Sequence, residues 1–200
     1  YIYIVPSITT YYDKTSTTVS ESQIQSDIRA ATLAYSSNNL ERFNNKLRYS
    51  KFIRSLDNIT TGSILNNDVS ISLEKRVVPN ISKSERLLLN FNNKIRKGTL
   101  SSTEFTYQNF PAYLDDDSLG NVNIYRYNDA KVKTNIITNA GTVDYDTGQV
   151  EVNAFAPTAF ADTQLKVSIT PDRFDVIPVR EQILIMDSEN GGVTITGETT

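Results

Sequence analysis

The spacing of hydrophobic residues separates an N-terminal part with helical periodicity from a longer part with strand periodicity. A helix is predicted over residues 20–37, because hydrophobic side chains recur there at i, i+4, i+7 and i+11, at Ile24, Ile28, Ala31 and Tyr35. A second, shorter helix is predicted around residues 49–57 from Phe52, Ile53 and Leu56. The first part of the chain is therefore expected to carry two consecutive helices.

Strands are expected on both sides of these helices. Tyr1 to Val5 reads as a strand that Pro6 ends. The segment Thr18 to Glu21 has the form of a capping box, with Thr18 as the expected N-cap of the first helix. Val69, Ile71 and Leu73 alternate with polar residues, as in a half-buried strand. The order strand, helix, helix, strand predicts a small α/β layer.

From Val77 onward, hydrophobic and polar residues alternate with a period of two. The predicted strands are 86–92, 102–107, 121–127, 131–137, 141–145, 149–155, 164–170, 182–187 and 193–196. Turns are expected at Asn128-Asp129 and at Asp146-Thr147-Gly148. Short strands separated by turn residues are typical of an antiparallel sandwich. The predicted fold class is α+β, with an α/β domain at 1–76 and a mainly antiparallel, β-sandwich-like domain at 77–200.

Composition excludes several classes of function. The chain has no His and no Cys, which excludes Ser-His-Asp and Cys-His catalysis and the usual zinc ligands. The net charge is −3 with both signs interspersed, which argues against nucleic acid as a partner. No hydrophobic stretch approaches the roughly 20 residues that a membrane span needs. Because the chain begins at Tyr1 rather than Met, we expect a fragment or a processed product.

Asp115-Asp116-Asp117 is the densest run of carboxylates. It has the composition of a cation site or of an acid/base pair, in which mutual repulsion raises one pKa. A carboxylate glycosidase would pair this run with a distant Glu at about 5 to 10 Å. The alternative, which we favour, is a solvated loop before Leu119-Gly120.

Three further groups have both a functional and a structural interpretation. Asp144 to Gly148 resembles the opening of a calcium loop, but the twelfth position is Phe155 rather than Glu, so a hairpin turn is favoured. Tyr11-Tyr12, with Tyr125 and Tyr127, could form an exposed sugar-stacking or partner-binding surface, although cross-strand packing is favoured. Charged residues that could hold an interdomain salt bridge are Arg173, Asp175 and Arg180.

Several segments together resemble the baseplate wedge proteins of T4-like contractile-tail phages (gene product six), in their C-terminal region. The resemblance runs from about residue 1 to 190. The segments that carry it are Tyr49 to Asp57, Val69 to Pro79, Ser102 to Tyr107, Gly141 to Val150 and Asp175 to Leu184.

This resemblance implies a late structural protein of the virion tail baseplate, assembled in the host cytoplasm. It implies a homodimer or ring of like subunits that contacts other wedge proteins and rearranges on tail contraction. No catalytic residue, cofactor site, metal site or small-molecule substrate comes with the family. We therefore expect no enzyme activity, no nucleic-acid partner and no membrane partner. The alternative function is a carbohydrate- or receptor-binding β-module of a virion.

Overall fold

The computed structural model of the protein describes residues 1–59, 63–81, 83–179 and 181–199. In this part of the chain there are two helices, α1 (Glu21–Asn39) and α2 (Tyr49–Asp57). The strands there are β1 (Ile2–Asp13), β2 (Ile64–Val77), β3 (Glu85–Asn90), β4 (Ser101–Ser102), β5 (Phe105–Tyr107), β6 (Phe110–Asp116), β7 (Asn121–Tyr127), β8 (Lys133–Asp144), β9 (Gln149–Phe155), β10 (Ala159–Phe160), β11 (Leu165–Ile169), β12 (Leu184–Met186) and β13 (Val193–Glu198). The predicted fold class is confirmed, since a strand-helix-helix-strand start is followed by mainly antiparallel strands.

The chain folds into two compact units, Tyr1–Ser72 with Arg173–Thr200, and Leu73–Asp172. The last residues of the chain thus belong to the same unit as the first, whereas the predicted boundary assigns them to the β domain. The sequence boundary between residues 76 and 77 stays a prediction. No helix in the described ranges is both long enough and hydrophobic enough to span a membrane.

In the first unit, the two predicted helices form where the periodicity indicates. α1 buries Ile24, Ile28 and Tyr35, and α2 buries Phe52 and Leu56. The rings of Tyr35 and Phe52 lie 5.2 Å apart between their centroids. Both helices therefore turn their hydrophobic stripes to a shared interior, and α1 also contacts β12 and β13.

The N-cap of α1 is Ser20, not Thr18 as predicted. The Ser20 hydroxyl accepts a hydrogen bond from the backbone N–H of Gln23 at 3.2 Å. The Glu21 carboxylate does not close a capping box with Thr18; it accepts a hydrogen bond from the Tyr12 hydroxyl at 2.8 Å. A Ser hydroxyl caps a helix N-terminus at least as well as a Thr hydroxyl. The helix can therefore begin after Ser20, two residues later than the capping-box pattern with Thr18 requires.

β1 lies between strands on both sides. On one side it pairs in parallel with β12 through residues 2–4 and with β13 through residues 8–13. On the other side lies β2. Asp13 bonds to Ser63 and Thr10 bonds to Asn67, so β1 and β2 run in opposite directions.

The prediction that Pro6 ends this strand is wrong. Pro6 lies in the gap between the β12 and β13 pairings, where its missing N–H costs no ladder hydrogen bond. The connection from β12 to β13 passes close to this point. A Cβ added at Gly191 would lie 2.2 Å from the Pro6 carbonyl oxygen, so only glycine allows the approach.

In the second unit the strand order is β2, β11, β4, β6, β7, β8, β9, β3, and every neighbouring pair is antiparallel. β5 pairs with β6 and with β10. The core includes Phe105 and Phe155, whose rings meet edge to face at 5.1 Å. The short alternating strands of the sequence thus build this sheet.

Three strand predictions in this unit need correction. The predicted strands 131–137 and 141–145 are one strand, β8, which pairs with β7 and then with β9. The predicted strand 102–107 is divided into β4 and β5. β6 was not predicted, because Pro111 and the acidic run interrupt its alternation.

Candidate interaction surface

Asp116 is the structural centre of the acidic run. It lies at the end of β6, is 9% exposed, and accepts four hydrogen bonds. The donors are the backbone N–H groups of Gly98 (2.7 Å), Leu100 (2.8 Å) and Ser118 (3.3 Å) and the hydroxyl of Tyr145 (2.6 Å). Burial and the bond to Asp116 raise the pKa of the Tyr145 phenol. Asp116 thus links the end of β6 by hydrogen bonds to the segment 98–100, to Ser118 and to Tyr145.

The neighbouring carboxylates have separate partners. Asp115 is bound by the Lys133 ammonium and by the Asn123 side-chain amide. Asp117 accepts hydrogen bonds from the backbone N–H of Leu119 at 2.8 Å and from the backbone and side chain of Asn121. Hydrogen bonds from Asn121 lower the pKa of Asp117.

The three carboxylates therefore bind different partners and do not converge on one point. The solvated-loop interpretation is right for Asp117, which lies in the turn, and wrong for Asp115 and Asp116, which belong to β6. Among the described residues, no group of three or more acidic side chains is arranged to hold a metal ion.

The segment Asp144 to Gly148 is the predicted hairpin turn between β8 and β9. The Asp144 carboxylate accepts hydrogen bonds from the backbone N–H groups of Asp146 (3.0 Å) and Thr147 (3.1 Å). These bonds lower the pKa of Asp144. Gly148 adopts φ of +78°, the left-handed conformation that the turn requires. Beside this turn, Lys94 forms an ion pair with Asp146 at 2.7 Å.

The tyrosines of β6 and β7 pack on one another. Tyr113 and Tyr125 are cross-strand partners, and their rings stack with centroids 5.6 Å apart. Tyr127 meets both rings edge to face, and the Lys133 ammonium lies 4.2 Å from the Tyr125 centroid. The packing interpretation is confirmed for these residues, although Tyr127 is 53% exposed.

The other residues that the sequence singles out lie in the first unit. Tyr12 was expected to be exposed but is 6% exposed, while Tyr11 is half-buried. Asp175 forms an ion pair with Arg48 at 2.9 Å and accepts a hydrogen bond from the Tyr49 N–H. These bonds lower the pKa of Asp175. Arg180 lies outside the described residues.

Exposed hydrophobic side chains occur on β3 and on the segment that leads into it. We define the β3 edge patch by Val78, Ile81 and Leu88, which are 67%, 57% and 42% exposed. In the described part of the chain β3 pairs with β9 alone, at the end of the strand order. An exposed strand edge with hydrophobic side chains is a ready template for another protein.

A small cavity of about 160 Å³ opens beside this patch. Its lining is mainly aliphatic and aromatic, and consists of Val77, Val78, Pro79, Glu85, Arg86, Leu87 and Phe155. Pockets of this kind receive alternate side chains of an added strand and provide its specificity.

The charges around the β3 edge patch are paired within the unit. Arg86 binds Glu151 on β9 through two hydrogen bonds of 2.6 Å, and Lys83 binds Glu85 at 2.5 Å. These cations lower the pKa values of both carboxyls, and Asn80 adds to the effect at Glu85. The patch therefore presents hydrophobic surface with balanced charge. The sequence signal for it was the run Leu87-Leu88-Leu89, which breaks the alternation of the surrounding strands.

Part of the chain is similar to a known protein family. Residues 1–76 match the family described as baseplate structural protein gp6, C-terminal domain III. The expected resemblance is confirmed over this segment, which runs from β1 into β2. None of the curated proteins compared with the chain matches it.

The description of the matched family names a structural protein of a baseplate. Its description indicates a structural rather than an enzymatic role. The matched segment includes β1, α1, α2 and all of β2 except Val77.

Proposed function

We propose that this protein is a wedge and inner-ring subunit of a contractile-tail baseplate, acting through self-association and through contacts with other wedge proteins. The single observation that carries the proposal is the match of residues 1–76 to the gp6 family. The hydrophobic β3 edge patch supports it, because subunits of large assemblies need exposed surface that a neighbour covers.

We assign the contacts with other wedge proteins to the β3 edge patch. An extended segment of the partner would add a strand beside β3, so that its backbone is paired and one hydrophobic side chain enters the cavity. A contact that must rearrange on contraction is expected to be modest in area and reversible. The balanced ion pairs of Arg86 and Lys83 favour a partner strand of low net charge.

The proposal is tested by co-purification of the tagged chain with the other baseplate proteins of the same phage. Binding is expected, and Leu88→Asp should weaken it by about tenfold, because a charge would be buried in a hydrophobic contact. Leu119→Asp is the matched control, since Leu119 is 85% exposed and lies outside the patch.

Failure of the unaltered chain to bind any baseplate protein, together with a strictly monomeric mass in light scattering, would refute the proposed function. Saturable, sugar-specific binding on a glycan array that is lost on Tyr127→Ala would support the carbohydrate-binding alternative instead.

A further inference from the structure

Asn190 is the one asparagine of the chain that a glycine follows. It lies in the connection between β12 and β13 and is exposed. An asparagine can lose ammonia when the backbone nitrogen of the next residue attacks its side-chain carbon. A following glycine favours this attack, because it has no Cβ to obstruct the ring that forms and its backbone adopts more conformations than that of other residues. The pair Asn190-Gly191 therefore has the covalent structure that spontaneous deamidation requires.

Asp187 holds Asn190 in a turn. The Asp187 carboxylate accepts hydrogen bonds from the backbone N–H groups of Glu189 and Asn190, both at 2.9 Å, and from the Asn190 side-chain NH₂ at 2.6 Å. Asp side chains commonly stabilise turns by bonds of this kind to the backbone that follows them. The NH₂ group that deamidation removes is thus a hydrogen-bond donor to a neighbouring carboxylate.

The reaction has two steps and passes through a cyclic imide. The Gly191 nitrogen loses its proton and forms a bond to Asn190 Cγ, while the bond from Cγ to the side-chain nitrogen breaks and that nitrogen leaves, with a proton, as ammonia. Water then opens the ring by adding OH to one of the two carbonyl carbons and a hydrogen to the nitrogen. Addition at Cγ yields aspartate. Addition at the backbone carbonyl carbon yields isoaspartate, in which the main chain continues through the former side chain.

Both products disturb the connection between β12 and β13. Aspartate at position 190 brings a second carboxylate beside that of Asp187, where the like charges repel. Isoaspartate adds a carbon atom to the main chain just before Gly191. The space there is limited, because even a Cβ added at Gly191 would lie 2.2 Å from the Pro6 carbonyl oxygen.

Backbone hydrogen bonds join both ends of this connection to β1. The Asp187 N–H donates to the Ile4 carbonyl oxygen at 2.9 Å, and the Ile8 N–H donates to the Gly192 carbonyl oxygen at 2.7 Å. The second of these bonds lies just two residues beyond Asn190. A change in the length or charge of the connection therefore acts directly on its pairing with β1.

We propose that Asn190 is a site of spontaneous deamidation in the folded protein, and that its conversion to aspartate or isoaspartate loosens the pairing of Ile8 with Gly192. Water is the co-reactant, and the Gly191 nitrogen is the nucleophile. The inference goes beyond the proposed baseplate function, because no partner protein takes part in it.

The site is tested by peptide mass spectrometry of the full chain after incubation at mildly alkaline pH. Peptides with residue 190 should gain the mass of an NH₂-to-OH exchange at least about tenfold faster than peptides with Asn139 or Asn153, because these exposed asparagines precede alanine. The rate at residue 190 should rise with pH, since the Gly191 nitrogen must lose its proton. Fragmentation by electron transfer distinguishes isoaspartate from aspartate.

The structural effect is tested by amide hydrogen exchange on the deamidated chain, which ion-exchange chromatography separates by its additional negative charge. The Ile8 amide should exchange at least about fivefold faster than in the unaltered chain. The Leu47 amide, which binds the Val176 carbonyl oxygen in the same unit, should exchange at an unchanged rate. Asn190→Asp reproduces the aspartate product and should also speed exchange at Ile8. Asn153→Asp adds the same charge elsewhere and is the control.

Equal rates of deamidation at positions 190, 139 and 153 would overturn the assignment of the site. An Ile8 amide that exchanges equally fast before and after deamidation, or equally fast in Asn190→Asp and Asn153→Asp, would overturn the effect on the pairing with β1.

Discussion

Replacing Asp116 by Ala should destabilise the second unit by about 2–4 kcal/mol. Leu100 is 3% exposed, and its N–H would lose its acceptor, which costs about 1–3 kcal/mol. Loss of the hydrogen bond from the half-buried Tyr145 hydroxyl adds about 1 kcal/mol to this destabilisation. Gly98 and Ser118 are exposed, so water can replace the carboxylate at their N–H groups.

Asp116→Asn should cost about half as much. An asparagine keeps one oxygen that can accept the hydrogen bond from the Leu100 N–H. Its NH₂ group would replace the second carboxylate oxygen, which now accepts hydrogen bonds from Gly98 and Tyr145, and would face these donors without accepting from them. The control is Asp146→Asn. The Asp146 side chain is 83% exposed, and its ion pair with Lys94 lies at the surface, so the change should stay within about 0.5 kcal/mol.

The measurement is urea unfolding followed by far-UV circular dichroism, together with amide hydrogen exchange. Because the chain has two compact units, the exchange rate of the Leu100 amide reports on the second unit directly. The reasoning is refuted if Asp116→Ala is no more destabilising than Asp146→Asn. It is also refuted if the Leu100 amide exchanges at an unchanged rate.

Three further predictions concern a cap, a turn and a phenol. Ser20→Ala should cost about 1 kcal/mol in thermal or urea unfolding and Thr18→Ala close to nothing, because Ser20 holds the N-cap hydrogen bond. Gly148→Ala should cost roughly 2 kcal/mol, because an added Cβ would lie 2.2 Å from a backbone oxygen and φ is +78°. The bond to Glu104 raises the pKa of Tyr113 from 10.0 to about 12, so its contribution to stability is present below pH 10 and is lost as pH rises to 12.

Each of these has a control. Gly192→Ala should have little effect, since an added Cβ would meet nothing closer than 3.7 Å. Tyr113→Phe should remove one phenol from the part of the absorbance titration near 295 nm that rises around pH 12. Equal costs for the caps at Ser20 and Thr18, equal costs for the two glycine changes, or a titration unchanged by Tyr113→Phe would contradict the corresponding prediction.

The helices could be predicted because their signals are local. The stripe from Ile24 to Tyr35 needs no partner to be recognised, and both helices formed within about two residues of the expected bounds. The cap was misassigned because Thr18 and Ser20 carry equivalent hydroxyl groups. Only the path of the backbone decides which of them lies at the first turn.

Features that depend on contacts between distant segments could not be predicted from local sequence patterns. Pro6 usually ends a strand, and its tolerance in β1 depends on where β12 ends and β13 begins, far along the chain. Asp116 has the same side chain as its neighbours, and its burial follows from the three segments that converge on it. The three consecutive leucines of β3 are visible in the sequence. That β3 lies at an open edge depends on the strand order, which the sequence pattern does not show.

The arrangement around β1 has a consequence for synthesis. A ribosome delivers residues 2–13 well before the strands that flank one side of them, 184–186 and 193–198. Until those strands emerge, one row of amide and carbonyl groups of residues 2–13 has no partner strand, and pairing it requires a contact between segments that lie far apart along the chain. A chain synthesised only as far as residue 183 therefore cannot complete the sheet against which α1 packs.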